Sequence, residues 1–442
     1  MEGITAKVAF TAVTTILAAY FILPWALKYP VLLGKTRVWE PDPQFTNLHE
    51  TCIALHPSKL HGCEKFKIIG DILFAACVSD WESRKKWFPP MGDLDISLGD
   101  KGIIRDSLYT VDLRVSLSMM AKGVCGPELL RINADGDSFY IFGFVLKGMD
   151  VVEVAPGDFS IYMVNHRRDA SVVESFSYKS GSGEASYLAT YNGVQQGLIN
   201  PNDIFAVSVP SPGSSPQNEF FVTNDHYFRS SRLGRMLEKY LRLPTGSVYY
   251  HSKSTGFRKV LRGFSNANGI AGFNNRQLDS ANVLSNMVFV ASILEGTVTA
   301  YRYVSGRVVE KGGLVKLREF AFDFVMDNLA ISQDGRWLYI TGHGEPAKLD
   351  SHWRSPAEVP SASVSYRMSL TELGAYFGNK GEMGESRVEK IVVDRMGLIG
   401  NASTTAVGDD ILNKFWISGL TFRGIMECSL YTSALHEEEE AD

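Results

Sequence analysis

Ala267-Asn268-Gly269-Ile270 sets an amide and a glycine between two short runs of strand-forming residues. The same pattern, an acidic or amide side chain where a strand would meet a turn, recurs at Gly62-Cys63-Glu64, Asn202-Asp203-Ile204, Thr223-Asn224-Asp225-His226 and Asp327-Asn328-Leu329. Any one of these reads as a turn, because Asn and Asp bond their own backbone and tolerate left-handed geometry. Together they supply two carboxylates, Glu64 and Asp327, and three neutral amides, Asn202, Asn268 and Asn328. Such an all-oxygen set suits a hard cation such as calcium, which takes about six to eight oxygens. Zinc would require His or Cys at short spacing, and the chain has no CxxC.

Working outward, strand-like runs bounded by Gly, Asn, Asp or Ser fill the chain from residue 66 onward. They include Phe66–Val78, Ser160–Asn165, Val172–Tyr178, Val248–His251, Val288–Ala291, Thr297–Val304, Trp337–Thr341 and Phe415–Gly419. Their spacing suits a propeller or a sandwich rather than alternating strands and helices. No strict repeat is visible, so the pattern alone leaves the blade count open. Ser231–Leu243 is the clear helix: Leu233, Met236, Leu237, Tyr240 and Leu241 recur at helical spacing, and Pro244 ends the run. The expected arrangement packs that apolar stripe inward over the body, the alternatives being a lid or a membrane-contacting element. Residues 79–135 and 345–390 are irregular and read as insertions near the mouth of a site.

The bulk properties narrow the partners. A net charge of −5 over 442 residues, with no long basic run, excludes a nucleic-acid footprint. Glu437–Glu440 reads as a solvated tail. Val8–Leu27 carries no charge and lies between Lys7 and Lys28. At about 1.5 Å per residue it is long enough to cross a hydrocarbon core of about 30 Å. A retained signal anchor, a cleaved signal peptide and a buried helix all fit, the first best, because no clean small-x-small cleavage site follows. Lys28, Lys35 and Arg37 oppose a luminal body by the positive-inside rule, but long domains translocate regardless. The expectation is therefore a membrane-anchored protein of the secretory pathway with a luminal or extracellular body. Cysteines at 52, 63, 77, 125 and 428 leave at least one without an intrachain partner, and Asn401-Ala402-Ser403 offers a glycosylation sequon for the same compartment.

Val164-Asn165-His166, Asn224-Asp225-His226-Tyr227-Phe228, Phe264-Ser265-Asn266-Ala267-Asn268-Gly269-Ile270 and Met326-Asp327-Asn328 resemble the signatures of the serum paraoxonase/arylesterase family in order and separation. The likeness runs over residues 46–430. It implies an all-β, six-bladed β-propeller over that span, preceded by an N-terminal hydrophobic helix (residues 1–30) and followed by an acidic tail (431–442). It implies calcium in the central tunnel, with Glu64, Asn202, Asn268, Asp327 and Asn328 as ligands of the catalytic ion. Asp203 matches a ligand of a second, structural calcium. Cys52 and Cys428 match the pair that staples the first and last strands.

Two residues depart from the family pattern. Lys65 stands where the structural calcium needs an aspartate, so Lys65 and Asp203 read as a remnant site, and one calcium is expected where the family has two. Lys147 stands where the family places the histidine partner of His166. A lysine acts as a base only when burial and a nearby cation bring it down from about 10.4; otherwise it binds a substrate carboxylate or stabilises an oxyanion. The implied activity is calcium-dependent hydrolysis of a lactone or ester, with His166 and Lys147 as catalytic residues. The alternatives are a non-hydrolytic tailoring enzyme (cyclisation, isomerisation or ring opening) and a non-catalytic membrane-anchored propeller. His226 and His343 fit either a structural or a functional role.

Overall fold

The structure is a computed structural model that describes Thr15 and residues 40–94, 106–114, 128–133, 144–207, 218–273, 283–303, 314–378 and 386–431. The hydrophobic stretch Val8–Leu27 (all but Thr15), Cys125 and Glu437–Glu440 lie outside the described residues. Among the described residues no helix is long and apolar enough to cross a membrane.

Six sheets form the blades, five of four antiparallel strands and one of five, in which the outermost strand, Arg131–Asn133, pairs parallel with Glu184–Tyr191. Their innermost strands are Lys65–Ile69, Leu146–Ala155, Pro201–Ala206, Ala267–Gly272, Val325–Ile331 and Ser403–Asp409. Each of these touches the next, and the last returns to the first, so the sheets close into a six-bladed β-propeller. The sixth blade is completed by Ile53–Leu55, which pairs with Ile425–Ser429. The Cys52–Cys428 disulfide locks that junction. A second disulfide, Cys63–Cys77, lies within the first blade.

Between the blades the core is apolar and continuous along each interface, as the strand patterns require. Phe74, Met149, Phe159, Ile161 and Phe176 fill one such interface, and Phe289, Met326, Leu338 and Ile340 another. Near their N-terminal ends the inner strands break register. The ladder shifts between Pro201 and Ile204, Ala267 and Ile270, Met326 and Leu329, and Ser403 and Thr405. A further shift opposite Met163/Asn165 falls at Lys147-Gly148. Each bulge frees side chains from ladder alternation and turns them toward the axis. Gly148 and Gly269 let neighbouring inner strands approach: a Cβ there would lie 2.2 Å from the Asn202 carbonyl oxygen and 2.6 Å from that of Asp327. Of the segments that read as strand-to-turn junctions, Asn202-Asp203, Asn268-Gly269 and Asp327-Asn328 are therefore bulges inside strands, while Glu64 precedes a strand and Asn224-Asp225 ends one.

Phe66–Val78, read as one run, is a hairpin of Lys65–Ile69 and Ile72–Cys77 turning at Gly70-Asp71. Among the described residues four α-helices lie between second and third strands or at blade edges: α1 (Trp81–Lys86), α2 (Arg232–Leu241), α3 (Pro346–Arg354) and α4 (Leu370–Gly378). The expected inward packing of α2 is corrected by the structure. Leu233, Met236, Leu237, Tyr240 and Leu241 are exposed, while Arg235 and Glu238 are buried. The cause is backbone demand: Glu238 accepts the N–H groups of Tyr227 and Phe228, and Arg235 donates to the Pro90 carbonyl.

Candidate active site

The bulges converge on a cleft of about 440 Å³ at one end of the axis. Lys147, Asn202, Asn268 and Asp327 reach it from four inner strands; Asp225, His226 and His343 stand around them. Its outer wall is largely apolar, with Phe88, Met91, Leu349 and Leu420, and Met236 and Tyr240 of α2 on the rim. Glu64 precedes the first inner strand and is 2 % exposed. Its carbonyl accepts hydroxyls from Thr404 (2.6 Å) and Thr405 (2.8 Å) of the sixth inner strand. Asn328 extends its amide toward the same carbonyl at 3.5 Å. Every inner strand thus contributes a polar group to one place.

The buried oxygens there without a hydrogen-bond partner include these four: Glu64 Oε2, Asn202 Oδ1, Asn268 Oδ1 and Asp327 Oδ1; Asn266 Oδ1 and Asp225 Oδ1 are others. Their orientation is imposed by the other end of each side chain. Asn202 Nδ2 donates to Asp225 Oδ2 at 3.2 Å, and Asp327 Oδ2 faces His343 Nε2 at 3.2 Å. Leaving one such oxygen bare costs roughly 1–3 kcal/mol, more when it is charged, so four together demand a partner. All four are hard oxygens, two of them on carboxylates, which is the chemistry of a calcium site. The residues fit that cation. The amide-rich composition also explains why no group of three or more His, Cys, Asp or Glu gathers as a metal cluster among the described residues.

Lys147 donates to Glu64 Oε1 at 2.6 Å. Burial draws this ammonium down, but Glu64 and Asp327 outweigh it and leave Lys147 above its ordinary value. The carboxylates of Glu64, Asp327 and Asp225 thus favour the charged form of Lys147. Burial raises Glu64 despite Lys147, whereas the pull of Lys147 and His343 overcomes burial at Asp327 and holds it low. Asp225 is held well below the carboxylate range: burial opposes this, but His226 at 2.9 Å prevails.

His166 lies one layer behind. Its Nδ1 meets Ser171 Oγ at 2.8 Å, its Nε2 is buried without a partner, and its ring packs edge-on against Phe88. Burial and then the Lys147 ammonium press it well below its ordinary value, so the imidazole is neutral. Lys65, on the first inner strand, points away from this cleft: it donates to Asp203 Oδ2 at 2.8 Å and to the Leu329 carbonyl at 3.1 Å. Asn401 is half-buried with its Oδ1 accepting Ser361 N–H, and Ser403 is buried. Reading the residues alone missed the Thr404 and Thr405 hydroxyls, the Cys63–Cys77 bond and Arg235; the threonine pair before a strand-like run was the one available signal.

An arylesterase family model matches residues 145–374, more than half of the 442. Human serum paraoxonase/arylesterase 1 is 28% identical over 248 residues, covering 56% of this chain and 62% of that protein. Human serum paraoxonase/lactonase 3 is 25% identical over 207 residues, covering 46% of this chain and 50% of that one. The chain thus matches less than two thirds of the length of either relative. Among solved structures, a luciferin-regenerating enzyme aligns with a TM-score of 0.44 and 10% identity, over 86% of this chain and 95% of that one. The family match spans four complete inner strands, which carry Lys147, Asn202, Asn268 and Asp327, and the chain belongs to the arylesterase family.

Proposed function

We propose that this chain is a hydrolase of lactones or esters that depends on one bound calcium ion. The observation that carries this reading is the set of partnerless oxygens of Asn202, Asn268 and Asp327 in one cleft, with that of Glu64 beside the Lys147 that lines it. Glu64, Asn202, Asn268, Asp327 and Asn328 would hold the ion. Bound there, calcium supplies Lewis-acid polarisation of an ester carbonyl. The residues of the chain do the rest. Phe88, buried, and Met236 and Tyr240 on the rim bind the apolar part of the substrate. Lys147, as an ammonium, favours an oxyanion beside it. Neutral His166 is the remaining proton acceptor, reached through a water once the Phe88 ring between it and the cleft turns aside. The matched relatives' names, paraoxonase, arylesterase and lactonase, support ester and lactone substrates. Lys65 on Asp203 supports one ion rather than two.

A screen of lactones of different ring size and of aryl esters, with calcium or with a chelator, tests this directly. Calcium-dependent hydrolysis of at least one class is expected. If every lactone and ester stays intact, the tailoring reading, which the ion-paired Lys147 favours, takes its place. The N-terminal segment as an anchor, residues 46–430 as the propeller unit, residues 431–442 as a tail and glycosylation at Asn401 remain proposals of the same account.

Two further outcomes follow from the electrostatics. Lys147→Met removes a positive charge from beside the cation ligands, and calcium should bind roughly tenfold more tightly while kcat falls. Calorimetric titration of the variant checks this; unchanged affinity would contradict the placement. His166 has a folded-state value below its unfolded one, so its neutral form is favoured above pH 6.5 and the associated stability is lost as pH falls toward the folded value. The kcat/KM profile should be flat from about pH 6.5 upward, and His166→Gln should lower that plateau by about 10²-fold. A profile that rises through pH 8 would assign the proton acceptor to another group.

A further inference from the structure

The two disulfides sit in different mechanical settings. Cys52–Cys428 joins residues 376 apart and closes the ring. Cys63–Cys77 joins residues only 14 apart, and Cys63 directly precedes Glu64. The first-blade ladder ends at the Lys65–Ala76 pair. The next backbone bond beyond it is Val78 N–H to the His61 carbonyl at 2.9 Å. Gly62, Cys63 and Glu64 therefore stand opposite Cys77 alone. The bulges at Asn202, Asn268 and Asp327 set two residues against one, between ladder pairs on both sides. Glu64 occupies the widest gap in the ring, and the disulfide spans that gap.

The rest of the segment is fixed as tightly. Gly62 has φ +51°, and a Cβ there would lie 2.7 Å from the Leu420 carbonyl oxygen. Both cysteines are fully buried, so the bond is sealed from solvent. On the far side, the Glu64 carbonyl is held by Thr404 and Thr405. Between these ties the Glu64 carboxylate gives one oxygen to Lys147 and leaves the other without a partner.

We propose that the Cys63–Cys77 disulfide is a positioning device for Glu64 that sets the cation affinity of the centre, while Cys52–Cys428 serves the ring as a whole. The inference rests on the calcium reading above. Without the bond, the three-residue bulge gains conformations in which the carboxylate leaves the cluster, and the ordering cost falls on the binding step.

The test compares the unmodified protein with Cys63→Ala/Cys77→Val, which largely refills the buried volume, and with Cys52→Ala/Cys428→Ala. Calcium affinity is measured by calorimetric titration of chelator-treated protein, and melting temperature in chelator. Losing Cys63–Cys77 should weaken calcium binding tenfold or more, with a smaller drop in melting temperature than losing Cys52–Cys428. Losing Cys52–Cys428 should lower the melting temperature and leave calcium affinity within about twofold. Glu64→Gln then separates positioning from general loosening: it should weaken binding strongly with the bond intact and add little without it. Unaltered affinity in Cys63→Ala/Cys77→Val, or independent multiplication of the two losses, overturns the proposal. Should Cys63→Ala/Cys77→Val not fold, Cys77→Ser alone takes its place under the same criteria. An unmodified protein that binds no calcium sinks the calcium reading itself, and this inference with it.

Discussion

Asp327→Ala is expected to remove calcium binding and to lower hydrolysis by roughly 10³-fold or more, while the protein stays folded. Asp327 sits on a bulge of the fifth inner strand and is 5 % exposed. One oxygen is spent on His343 and the other has no protein partner, so its buried charge is arranged for a ligand. It is also one of three carboxylates, with Glu64 and Asp225, that hold Lys147 above its ordinary value, and one cause of the raised value of Glu64. Its removal relieves its repulsion of Glu64 but takes an attractive partner from Lys147 and His343. Melting temperature in chelator should therefore fall while the protein stays folded, and Asp327→Asn, which keeps the shape and loses the charge, should weaken calcium by an intermediate amount. An Asp327→Ala protein that hydrolyses a lactone at the unmodified rate would remove the basis of the mechanism.

The second large effect is on stability. Lys65→Met is expected to cost about 3–5 kcal/mol, because it leaves the fully buried Asp203 carboxylate without its cation. The melting temperature should fall by on the order of 5 °C or more. Asp203 is raised above its ordinary value by burial, against which Lys65 is the main opposing influence. With Lys65 gone it rises further. The folded state then holds a proton that the unfolded state has released, so stability falls as pH increases. The deficit of Lys65→Met should accordingly be larger at pH 8 than at pH 5, by differential scanning calorimetry. Adding Asp203→Asn to it should recover part of the loss, since replacing both partners removes the stranded charge. A Lys65→Met protein as stable as the unmodified one at pH 8 would mean that Lys65 does not neutralise the axis.

Much of this was visible in the chain because bulges leave a chemical trace. Asn202-Asp203, Asn268-Gly269 and Asp327-Asn328 interrupt strand-like runs with residues that a regular strand disfavours. What the pattern concealed was the difference between a turn that ends a strand and a bulge within it, since both use the same residue types. The orientation of α2 was hidden for another reason. Periodicity says that Leu233, Met236, Leu237 and Tyr240 share a face, but not which face meets the body. That was decided by Tyr227 and Phe228, whose backbone N–H groups need Glu238. The Cys63–Cys77 bond was legible only once Gly70-Asp71 is taken as a hairpin turn, which brings Cys77 beside Glu64. Lys147 could be named from its position, but its charge depends on Glu64 and Asp327, which lie far from it in the chain.

The most direct measurement is a calorimetric titration of chelator-treated protein with calcium, run beside a lactone hydrolysis assay on the same sample. The account predicts one site per chain, with hydrolysis returning in proportion to its occupancy. Two sites of comparable affinity, or hydrolysis that is indifferent to the chelator, would contradict it.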